Sequence, residues 1–389
     1  MTTDEQHMRK ALDLARAGVG QVSPNPAVGA VVVDASGREV GAGTHTYDGI
    51  KHAEVLALEQ AGSRARGATL YLNLEPCSHH GRTGPCADAV SAAGISRVVC
   101  SMQDPNPRVA GQGFARLRAS GIKVEVGSLE LEAKKLNESF AKYIRHGKPL
   151  VTLKSAMTLD GKIADATKPG TDRSSDSPSP TPATEGSRSG YHWITGEVAR
   201  AHVQQLRHQS DAILAGVGTV LADDPLLTDR SALPRRRKLL RVILDSYLRI
   251  PLTTRLVQTA DNDVLVLYSK AEADTRQALE AKGIRVQQIS ATADGRPDFA
   301  QIVHSLGELE VTSLLIEGGS LVNGAVLASG EVDKVFLYYA PKFFGGDAVP
   351  FIGESLYGKA QCVRRFELHR FGEDFAVEGY LRDPYSAHA

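Results

Sequence analysis

The sequence is poor in cysteine, in charge of a single sign and in long apolar runs, and each shortage excludes a class of protein. Four cysteines in 389 residues exclude a disulfide framework and favour a reducing compartment. The 45 basic and 45 acidic residues cancel, which argues against a general nucleic-acid or membrane-surface binder. No apolar run is long enough for a membrane span, and the polar first residues predict no signal peptide. We therefore expect a cytoplasmic protein with small-molecule substrates.

The length predicts two domains, because 389 residues exceed what one core usually fills. A helix predicted from Leu129 to Arg145 is followed by His146-Gly147-Lys148-Pro149, and this glycine and proline suit a boundary. We place the domains at 1–146 and 147–389. Within the second, residues 167–190 are rich in Pro, Ser and Thr and have almost nothing to bury, so we expect a mobile insertion.

Strand and helix patterns alternate in both halves, which predicts α/β domains, the first of them three-layered. In the second half, Thr195 suits the N-cap of a helix, residues 216–225 have the composition of a loop, and the basic run Arg235–Lys238 is interpreted as a solvated loop. Residues 316–324 carry a strand into a helix through paired glycines. Backbone amides of such a turn can hold a pyrophosphate, although ordinary tight turns use the same pattern.

One histidine, two cysteines and one glutamate form the most specific pattern in the chain. His52 and Glu54 lie in an H-x-E triplet, and Cys77 and Cys86 each follow a proline. Three ligands would leave the fourth zinc position open for water, as in a catalytic site, and zinc lowers the pKa of that water toward about 7. Glu54 can then carry protons, as in zinc deaminases. The alternative is that these are buried thiols and an ordinary histidine.

These motifs resemble the bifunctional riboflavin-biosynthesis deaminase-reductase family over essentially the whole chain. In the first half the resemblance rests on PNPAVG from Pro24, GTH from Gly43, HAE from His52, and LEPCSHHGRTGPC from Leu74, whose eight residues between the cysteines are distinctive. In the second half it rests on further motifs: MTLDG from Met157, WITG from Trp193, GTVLADDPLLT from Gly218, and EGG from Glu317.

The resemblance implies an N-terminal domain with a cytidine-deaminase-like fold and a C-terminal domain with a dihydrofolate-reductase-like fold. The first would remove the 2-amino group of 2,5-diamino-6-(5-phosphoribosylamino)pyrimidin-4(3H)-one, using Zn²⁺. The second would use NADPH to reduce the ribosyl group of 5-amino-6-(5-phosphoribosylamino)uracil to ribityl. His52, Cys77 and Cys86 match the family's zinc ligands, and Glu54 matches its proton shuttle.

The resemblance also implies residues that bind substrate and cofactor. An amide suits a pyrimidinone edge and basic groups suit phosphate. The implied deaminase substrate contacts are Asn25, His45, His79 and Arg82. The implied NADPH contacts are Ala156, Trp193, Thr219, Asp223, Ser246, Gly319, Ser320, Leu321, Val322, Asn323, Gly324 and Ala325. The implied reductase substrate contacts are Arg207, Leu227, Arg230 and Glu317, of which the arginines suit a phosphate dianion.

Two more residues are expected at the reductase substrate site. Lys154 lies inside an apolar strand, which is costly unless it faces a cleft, where it could polarise the sugar carbonyl. The alternative is a strand-edge lysine that reaches solvent. Tyr191 stands where the family has a serine contact, because a long insertion here replaces a short Gly-Glu-Ser segment.

Three other functions remain open from the sequence. The second domain could have lost reductase activity. The chain could be a nucleic-acid deaminase with a binding module, which the neutral charge balance disfavours. It could also be a structural zinc protein, against which Glu54 beside an open coordination position argues. We expect a homo-oligomer, although the sequence does not indicate how many subunits it has.

Overall fold

The structure, a computed structural model, describes residues 2–82, 84–165, 193–293, 295–353 and 360–387. These residues form two α/β units, each built on its own sheet, as the sequence predicted. Tyr191 and the insertion expected at 167–190 lie outside the described residues. None of the described helices is both long and apolar enough to cross a membrane.

The first unit is built on a five-stranded sheet of order β2-β1-β3-β4-β5. The strands are β1 (Gly29–Val33), β2 (Glu39–Thr44), β3 (Thr69–Leu74), β4 (Arg97–Met102) and β5 (Lys123–Val126). Strand β1 runs antiparallel to both β2 and β3, whereas β3, β4 and β5 are parallel. Strands β1, β3 and β4 are almost wholly buried, so this sheet forms the middle layer of the unit.

Helices cover both faces of this sheet. They are α1 (Thr3–Ala17), α2 (Ala53–Ala61), α3 (Cys86–Ala92), α4 (Gln112–Ala119), α5 (Glu130–Leu136) and α6 (Glu138–His146), with a 3₁₀ turn at Gly62–Ala65. Helix α1 packs against Gly29 and α2 against Gly43. Because the register pairs Ala30 with Gly43, Gly29 and Gly43 lie on opposite faces. The three-layered arrangement expected from the sequence is confirmed.

The prediction of a single helix from Leu129 to Arg145 is wrong, because the structure has two helices, α5 and α6, separated at Asn137. The Asn137 side chain is 1% exposed and binds both backbone groups of Ala27. Its Oδ1 accepts from the Ala27 amide at 2.8 Å, and its Nδ2 donates to the Ala27 carbonyl at 3.1 Å. Asn137 has φ −109° and ψ 17°, outside the helical range, so this long-range contact interrupts a local helical pattern.

The second unit is built on a nine-stranded sheet of order β11-β10-β9-β8-β12-β6-β13-β16-β15. Its strands are β6 (Leu150–Thr158), β8 (Ala212–Gly216), β9 (Leu240–Leu244), β10 (Val264–Tyr268), β11 (Arg285–Gln288), β12 (Ser313–Ile316), β13 (Lys334–Ala340), β15 (Arg364–Phe371) and β16 (Asp374–Tyr380). A small ribbon pairs β7 (Lys162–Ala164) with β14 (Val349–Pro350). The strands from β11 to β13 are parallel, so their carboxyl ends meet at one edge, where ligands usually bind.

The second unit has six described helices, two of which the sequence did not predict. The six helices are α7 (Glu197–Gln209), α8 (Val217–Asp223), α9 (Arg255–Gln258), α10 (Ala273–Glu280), α11 (Phe299–Glu308) and α12 (Ser320–Ala328). Residues 216–225, predicted as a loop, contain α8, whose buried Val217 and Val220 pack on the core. Thr195 does not cap α7, which begins after Gly196, and the Gly196 amide donates to Asp374 Oδ2 at 2.7 Å.

The basic run Arg235–Lys238, interpreted as a solvated loop, instead lies at the junction of the two units. The Arg235 guanidinium binds Asp229 Oδ2 at 2.7 Å and the Ser210 carbonyl at 2.7 Å, within the second unit. The Arg236 guanidinium donates to the Ser23 carbonyl of the first unit at 2.9 Å. This part of the interpretation is therefore wrong, because long-range partners hold these cations.

Candidate active sites

His52, Cys77 and Cys86 come together at one end of the first sheet, as the motif predicts. His52 is the N-cap of α2, Cys77 follows β3, and Cys86 begins α3. His52 Nδ1 lies 3.1 Å from Cys86 Sγ and 3.6 Å from Cys77 Sγ. Zinc holds sulfur at about 2.3 Å and nitrogen at about 2.0 Å, so ligand atoms around one ion lie roughly 3.5 Å apart. One nitrogen and two sulfurs in this arrangement fit Zn²⁺.

Glu54 lies beside these three ligands, in the first turn of α2. It is 3% exposed, and its Oε2 has no hydrogen-bond partner among the described residues. Burial raises the pKa of Glu54 to about 7, although the charge of His52 opposes the shift. An unpaired buried carboxyl oxygen is costly in an ordinary core. It suits a group that exchanges protons with a bound water at neutral pH.

The surroundings of the Cys77 thiol favour its ionised form. Hydrogen bonds from the Cys86 thiol and from His52 hold the pKa of Cys77 at about 4, although burial opposes the shift. The Cys86 backbone amide also donates to Cys77 Sγ at 3.3 Å. These contacts favour the thiolate form of Cys77, the form in which cysteine binds a metal.

Asn25 and His45 form a hydrogen-bonded pair beside His52. Asn25 Nδ2 donates to His45 Nε2 at 3.0 Å, and His45 Nδ1 donates to the Lys51 carbonyl at 3.1 Å. Burial lowers the pKa of His45, which is 3% exposed, so the neutral ring with its proton on Nδ1 is favoured. The Asn25 amide keeps an acceptor oxygen, which suits the N–H edge of a pyrimidinone.

Arg82 and His79 lie on the exposed loop between the two cysteines. Arg82 Nη1 donates to the Tyr47 carbonyl at 3.0 Å, and its guanidinium carbon lies 4.7 Å from the centre of the Tyr47 ring. A second guanidinium, that of Arg236, lies 3.7 Å from the same ring centre. Sequence reasoning did not assign Tyr47 or Arg236 to the site. For Tyr47, the sequence signal that could have indicated a place in the site is its position two residues after the GTH motif.

Glu75, which begins the EPC motif, has a structural role, because its carboxylate binds backbone amides at the start of α4. Its Oε1 accepts from the amides of Gly113 and Phe114 at 2.8 and 3.2 Å, and its Oε2 accepts from the Gly111 amide at 2.9 Å. These bonds join the end of β3 to the start of α4. Cys77, two residues later, is thereby fixed in position.

The second candidate site is built on a buried cluster of Lys154, Arg207 and Glu317. Arg207 binds Glu317 with Nε at 2.7 Å and with Nη2 at 3.1 Å, and Lys154 Nζ lies 3.3 Å from Glu317 Oε2. Lys154 is 13% exposed, so it is not a strand-edge lysine that reaches solvent. Although burial opposes it, the charges of Lys154 and Arg207 hold the pKa of Glu317 at about 2.

The two arginines that were expected to bind phosphate have different environments. Arg207 uses its remaining Nη1 to donate to the Thr228 carbonyl at 3.0 Å, so its guanidinium is already engaged. Arg230 is exposed, and its backbone amide donates to Gln204 Oε1 at 3.0 Å. Leu227, also expected as a substrate contact, is 4% exposed, and its side chain packs in the hydrophobic core beside the site.

A cradle for the cofactor lies between β12 and α12. A Cβ on Gly318 would meet Asn323 Oδ1 at 2.7 Å and the Val322 side chain at 2.8 Å, so only glycine fits at this turn. Helix α12 begins after Gly319, where its first amides are free to bind an anion. Buried Ser320 Oγ has no partner among the described residues. This unpaired hydroxyl, with the amides, fits a cofactor phosphate.

The other expected cofactor residues lie mostly near carboxyl ends of the parallel strands. Ala156 is near the end of β6, Ser246 follows β9, and Thr219 lies in α8, directly after β8. A Cβ on Gly319 would contact Thr219 Oγ1 at 3.6 Å, so the turns after β8 and β12 adjoin. Asp223 ends α8. Trp193 is 62% exposed at the edge of the described residues, and the Arg200 guanidinium lies 5.1 Å from its ring centre.

Comparison with known proteins places both sites in one family. Residues 1–102 match the family model "cytidine and deoxycytidylate deaminase zinc-binding region", and residues 149–377 match "RibD C-terminal domain". The chain is 39% identical over 375 residues to the riboflavin biosynthesis protein RibD of Aquifex aeolicus, covering 96% of this chain and 97% of that protein. The chain belongs to the RibD family. RibD of Escherichia coli is similar too, at 41% identity over 356 residues and 89% of each chain.

Solved RibD structures have the same two-domain fold. RibD of Acinetobacter baumannii aligns with a TM-score of 0.78 and 35% identity over 97% of this chain and 98% of that one. A Thermotoga maritima protein named diaminohydroxyphosphoribosylaminopyrimidine deaminase/5-amino-6-(5-phosphoribosylamino)uracil reductase aligns with a TM-score of 0.77 and 34% identity, with the same coverage. As a RibD protein, this chain is a bifunctional deaminase and reductase of riboflavin biosynthesis, and it uses Zn²⁺ and NADPH.

Proposed function

We propose that the N-terminal domain deaminates 2,5-diamino-6-(5-phosphoribosylamino)pyrimidin-4(3H)-one. We propose further that the C-terminal domain reduces the ribosyl group of 5-amino-6-(5-phosphoribosylamino)uracil to ribityl. The name of the T. maritima relative contains both activities and supports these substrates. The observation that carries the deaminase assignment is the buried carboxyl of Glu54 beside three converging ligand atoms. One oxygen of this carboxyl has no hydrogen-bond partner among the described residues. A purely structural zinc site has no need for such a group.

In the deaminase site, His52, Cys77 and Cys86 would hold the zinc ion, which supplies an acidified water as the nucleophile. Glu54 accepts a proton from the water as its oxygen bonds to C2 of the ring. The same carboxyl passes this proton to a ring nitrogen. It then takes the second proton from the oxygen now bonded to C2 and gives it to the amino group, which leaves as ammonia as the C2–N bond breaks. Asn25, held by His45, binds the pyrimidinone edge and so presents C2 to the water.

In the reductase site, the turn Gly319–Ala325 would bind NADPH, which supplies the hydride to C1 of the sugar. Lys154 donates a hydrogen bond to the ring oxygen of the ribosyl group, and gives it a proton as the C1–O bond breaks and the C4 hydroxyl forms. Glu317 keeps the ammonium of Lys154 in place, and Arg207 keeps Glu317 in place by a two-point ion pair. We therefore assign the substrate phosphate to Arg230 and a positioning role to Arg207.

We also propose a domain boundary, a cellular location and one further substrate contact. We place the domain boundary between His146 and Gly147, since α6 ends at His146, Gly147 has a positive φ of 66°, and the second sheet begins at Leu150. We propose a cytoplasmic location, because Cys77 and Cys86 bind zinc only when reduced. Tyr191 is kept as a proposed substrate contact from the family pattern alone.

Replacing Arg230 should weaken binding of the reductase substrate alone. We expect Arg230→Gln to raise the KM for the aminouracil substrate by an amount equivalent to roughly 1.5–3 kcal/mol, the usual worth of a hydrogen bond to a charged group. The kcat of reduction and the Kd of NADPH should change little. Steady-state kinetics together with an NADPH fluorescence titration measures all three quantities.

Arg276→Gln is the matched control, since Arg276 is an exposed arginine on α10 of the same domain. It should leave every constant at the wild-type value. If Arg230→Gln instead raises the Kd of NADPH and leaves the substrate KM unchanged, then Arg230 binds a cofactor phosphate and our assignment is wrong.

We also propose that the protein is a homo-oligomer in which a second copy covers the edge strand β15. Phe366 and Leu368 lie on one face of β15 and are 62% and 68% exposed. Large apolar side chains exposed on an edge strand are usually covered by a partner. We expect the wild type to exceed 41.6 kDa in light scattering, and Leu368→Lys to reduce the mass to that of one chain. A monomeric wild type would contradict the proposal.

One assay tests the two proposed activities together. The purified protein is given the diaminopyrimidine substrate with and without NADPH, while ammonia, NADPH absorbance and bound zinc are measured. We expect one NADPH to be consumed for each ammonia released, and ammonia release to continue without NADPH. Ammonia release without NADPH consumption would show an inactive second domain.

A further inference from the structure

The loop that carries Asn25 is held by the C-terminal domain. Ser23 Oγ donates to Asp211 Oδ2 at 2.7 Å, and it accepts from Arg237 Nη2 at 3.1 Å. Asp211 and Arg237 both belong to the second domain, so a side chain two residues before Asn25 is fixed from outside its own domain.

The segment just before Ser23 is fixed in the same way. His208 Nε2 donates to the Val19 carbonyl at 3.2 Å, and the Arg236 amide donates to the Gly20 carbonyl at 2.8 Å. Gly20 has a φ of +83°, and a Cβ there would lie 2.6 Å from His208 Cε1. Only glycine therefore allows this segment to approach the second domain so closely.

The side chain of Arg236 reaches further, to two segments of the first domain. Its Nη1 donates to the Ser23 carbonyl at 2.9 Å, and its guanidinium carbon lies 3.7 Å from the centre of the Tyr47 ring. Its Nε lies 3.4 Å from Asp48 Oδ1. The Arg236 side chain is 19% exposed, so these contacts occupy most of its surface.

These two contacts flank the two residues that we assign to the pyrimidine. Asn25 lies two residues after Ser23, and His45 lies two residues before Tyr47. The Asn25 and His45 side chains are joined to each other at 3.0 Å. A single guanidinium therefore links the two segments whose relative position sets the Asn25–His45 pair.

We propose that Arg236, although it belongs to the reductase domain, is a positioning residue of the deaminase site. It fixes the Ser23 and Tyr47 segments together, and thereby holds Asn25 and His45 at the spacing that binds the pyrimidine. The proposal rests on the proposed function, since it takes those two residues as substrate contacts. The deaminase pocket is then complete only when the second domain is docked against the first.

The contacts with the Ser23 carbonyl and the Tyr47 ring require a guanidinium rather than any cation. Arginine offers a planar group that can stack on an aromatic ring while donating in its own plane to a carbonyl. Lysine carries a compact ammonium that can make one of these contacts well but not both at once. Arg236→Lys should therefore restore part of the function lost in Arg236→Ala.

The test compares Arg236→Ala and Arg236→Lys with wild type and with Lys238→Ala. Lys238 is a suitable control because it ends the same basic run but pairs with Asp261 inside the second domain. For each protein we would measure deaminase kcat and KM with the phosphorylated substrate and with its dephosphorylated form. Zinc content, reductase kinetics and melting temperature are measured in parallel.

We expect Arg236→Ala to lower deaminase kcat/KM about 10- to 100-fold, as for the loss of a hydrogen bond to a charged group, mostly through KM. The factor should be the same for both forms of the substrate. Arg236→Lys should lie between, and Lys238→Ala should match wild type. Zinc content and reductase kinetics should be unchanged in all variants.

Three outcomes would overturn the inference. Normal deaminase kinetics in Arg236→Ala would show that the contacts do not position the pocket. An effect confined to the phosphorylated substrate would make Arg236 a phosphate ligand beside Arg82. Loss of zinc and of reductase activity in both Arg236 variants would show a general structural role. Absence of ammonia release by the wild type would instead contradict the proposed function itself.

Discussion

Glu54→Gln should abolish most deamination while leaving zinc bound. We expect ammonia release to slow roughly 10²- to 10⁴-fold, the usual contribution of a positioned general acid or base. Glutamine keeps the size of the side chain and one carbonyl oxygen, but it cannot accept and release a proton. Glu54 contributes none of the three ligand atoms, so metal affinity should be retained. Ammonia release and bound zinc are measured on the same samples.

Glu59→Gln is the matched control for this experiment. Glu59 lies on the same helix, but it is half-exposed and pairs with Lys51 at 2.8 Å. This variant should deaminate like wild type, and both variants should still consume NADPH when given the aminouracil substrate. If Glu54→Gln loses its zinc, the carboxylate is a ligand. If it keeps full deaminase activity, another group moves the protons.

The deaminase half could be predicted closely because its signals are local. Its alternation of strands and helices is confirmed, since strands such as β3 and β4 are short β-branched or apolar runs between turn residues. The metal pattern also depends on local features, because His52 begins a helix and Cys77 closely follows a strand. The sequence could not show that Asn137 would leave its helix to bind Ala27, 110 residues away.

The reductase half was less predictable because its charges find partners far along the chain. The pairing of Arg207 with Glu317 joins a helix and a strand end 110 residues apart, and no pattern in the sequence specifies it. Sequence reasoning therefore gave Arg207 to the phosphate. For Lys154 it left two environments open, and the structure distinguishes them through the buried Glu317.

The same limitation applies to the junction between the domains. A run of four cations is usually a solvated surface, and composition alone gives no reason to interpret Arg235–Lys238 differently. Two of its members instead contact Ser23, more than 200 residues earlier. Charges that look equivalent in sequence thus differ in energetic importance according to what they are buried against.

A buried ion pair across this junction gives the largest expected effect on stability. Lys142 of α6 and Asp333, which precedes β13, are 2% and 0% exposed, and Lys142 Nζ lies 3.0 Å from Asp333 Oδ1. Asp333 Oδ2 also accepts from the Val151 amide at 3.0 Å, and Arg382 Nε lies 3.1 Å from Oδ1. One carboxylate therefore joins the last helix of the first domain to the central strands of the second.

We expect Asp333→Asn to lower the free energy of unfolding by about 3–5 kcal/mol, because it leaves the buried Lys142 ammonium without its carboxylate. Asparagine keeps an oxygen for the Val151 amide, so the substitution isolates the charge from the hydrogen bond. Urea denaturation followed by circular dichroism measures the change. Because the protein has two domains, the midpoint of each transition is compared rather than one extrapolated value.

Arg365→Gln is the control that shows whether the stability loss depends on the burial of an ion pair or on the distance between its charges. Arg365 Nη2 lies 2.7 Å from Asp383 Oδ2, which is closer than the Lys142–Asp333 contact, but the Arg365 side chain is 71% exposed. Water already solvates both charges there, so we expect a loss below about 1 kcal/mol. Equal losses in the two variants would contradict the prediction, because they would show that the 3.0 Å pair is solvated or relaxes when broken. A large loss in Asp333→Asn alone would mean that one buried carboxylate keeps the two domains docked, and with them the Arg236 contacts of the deaminase pocket.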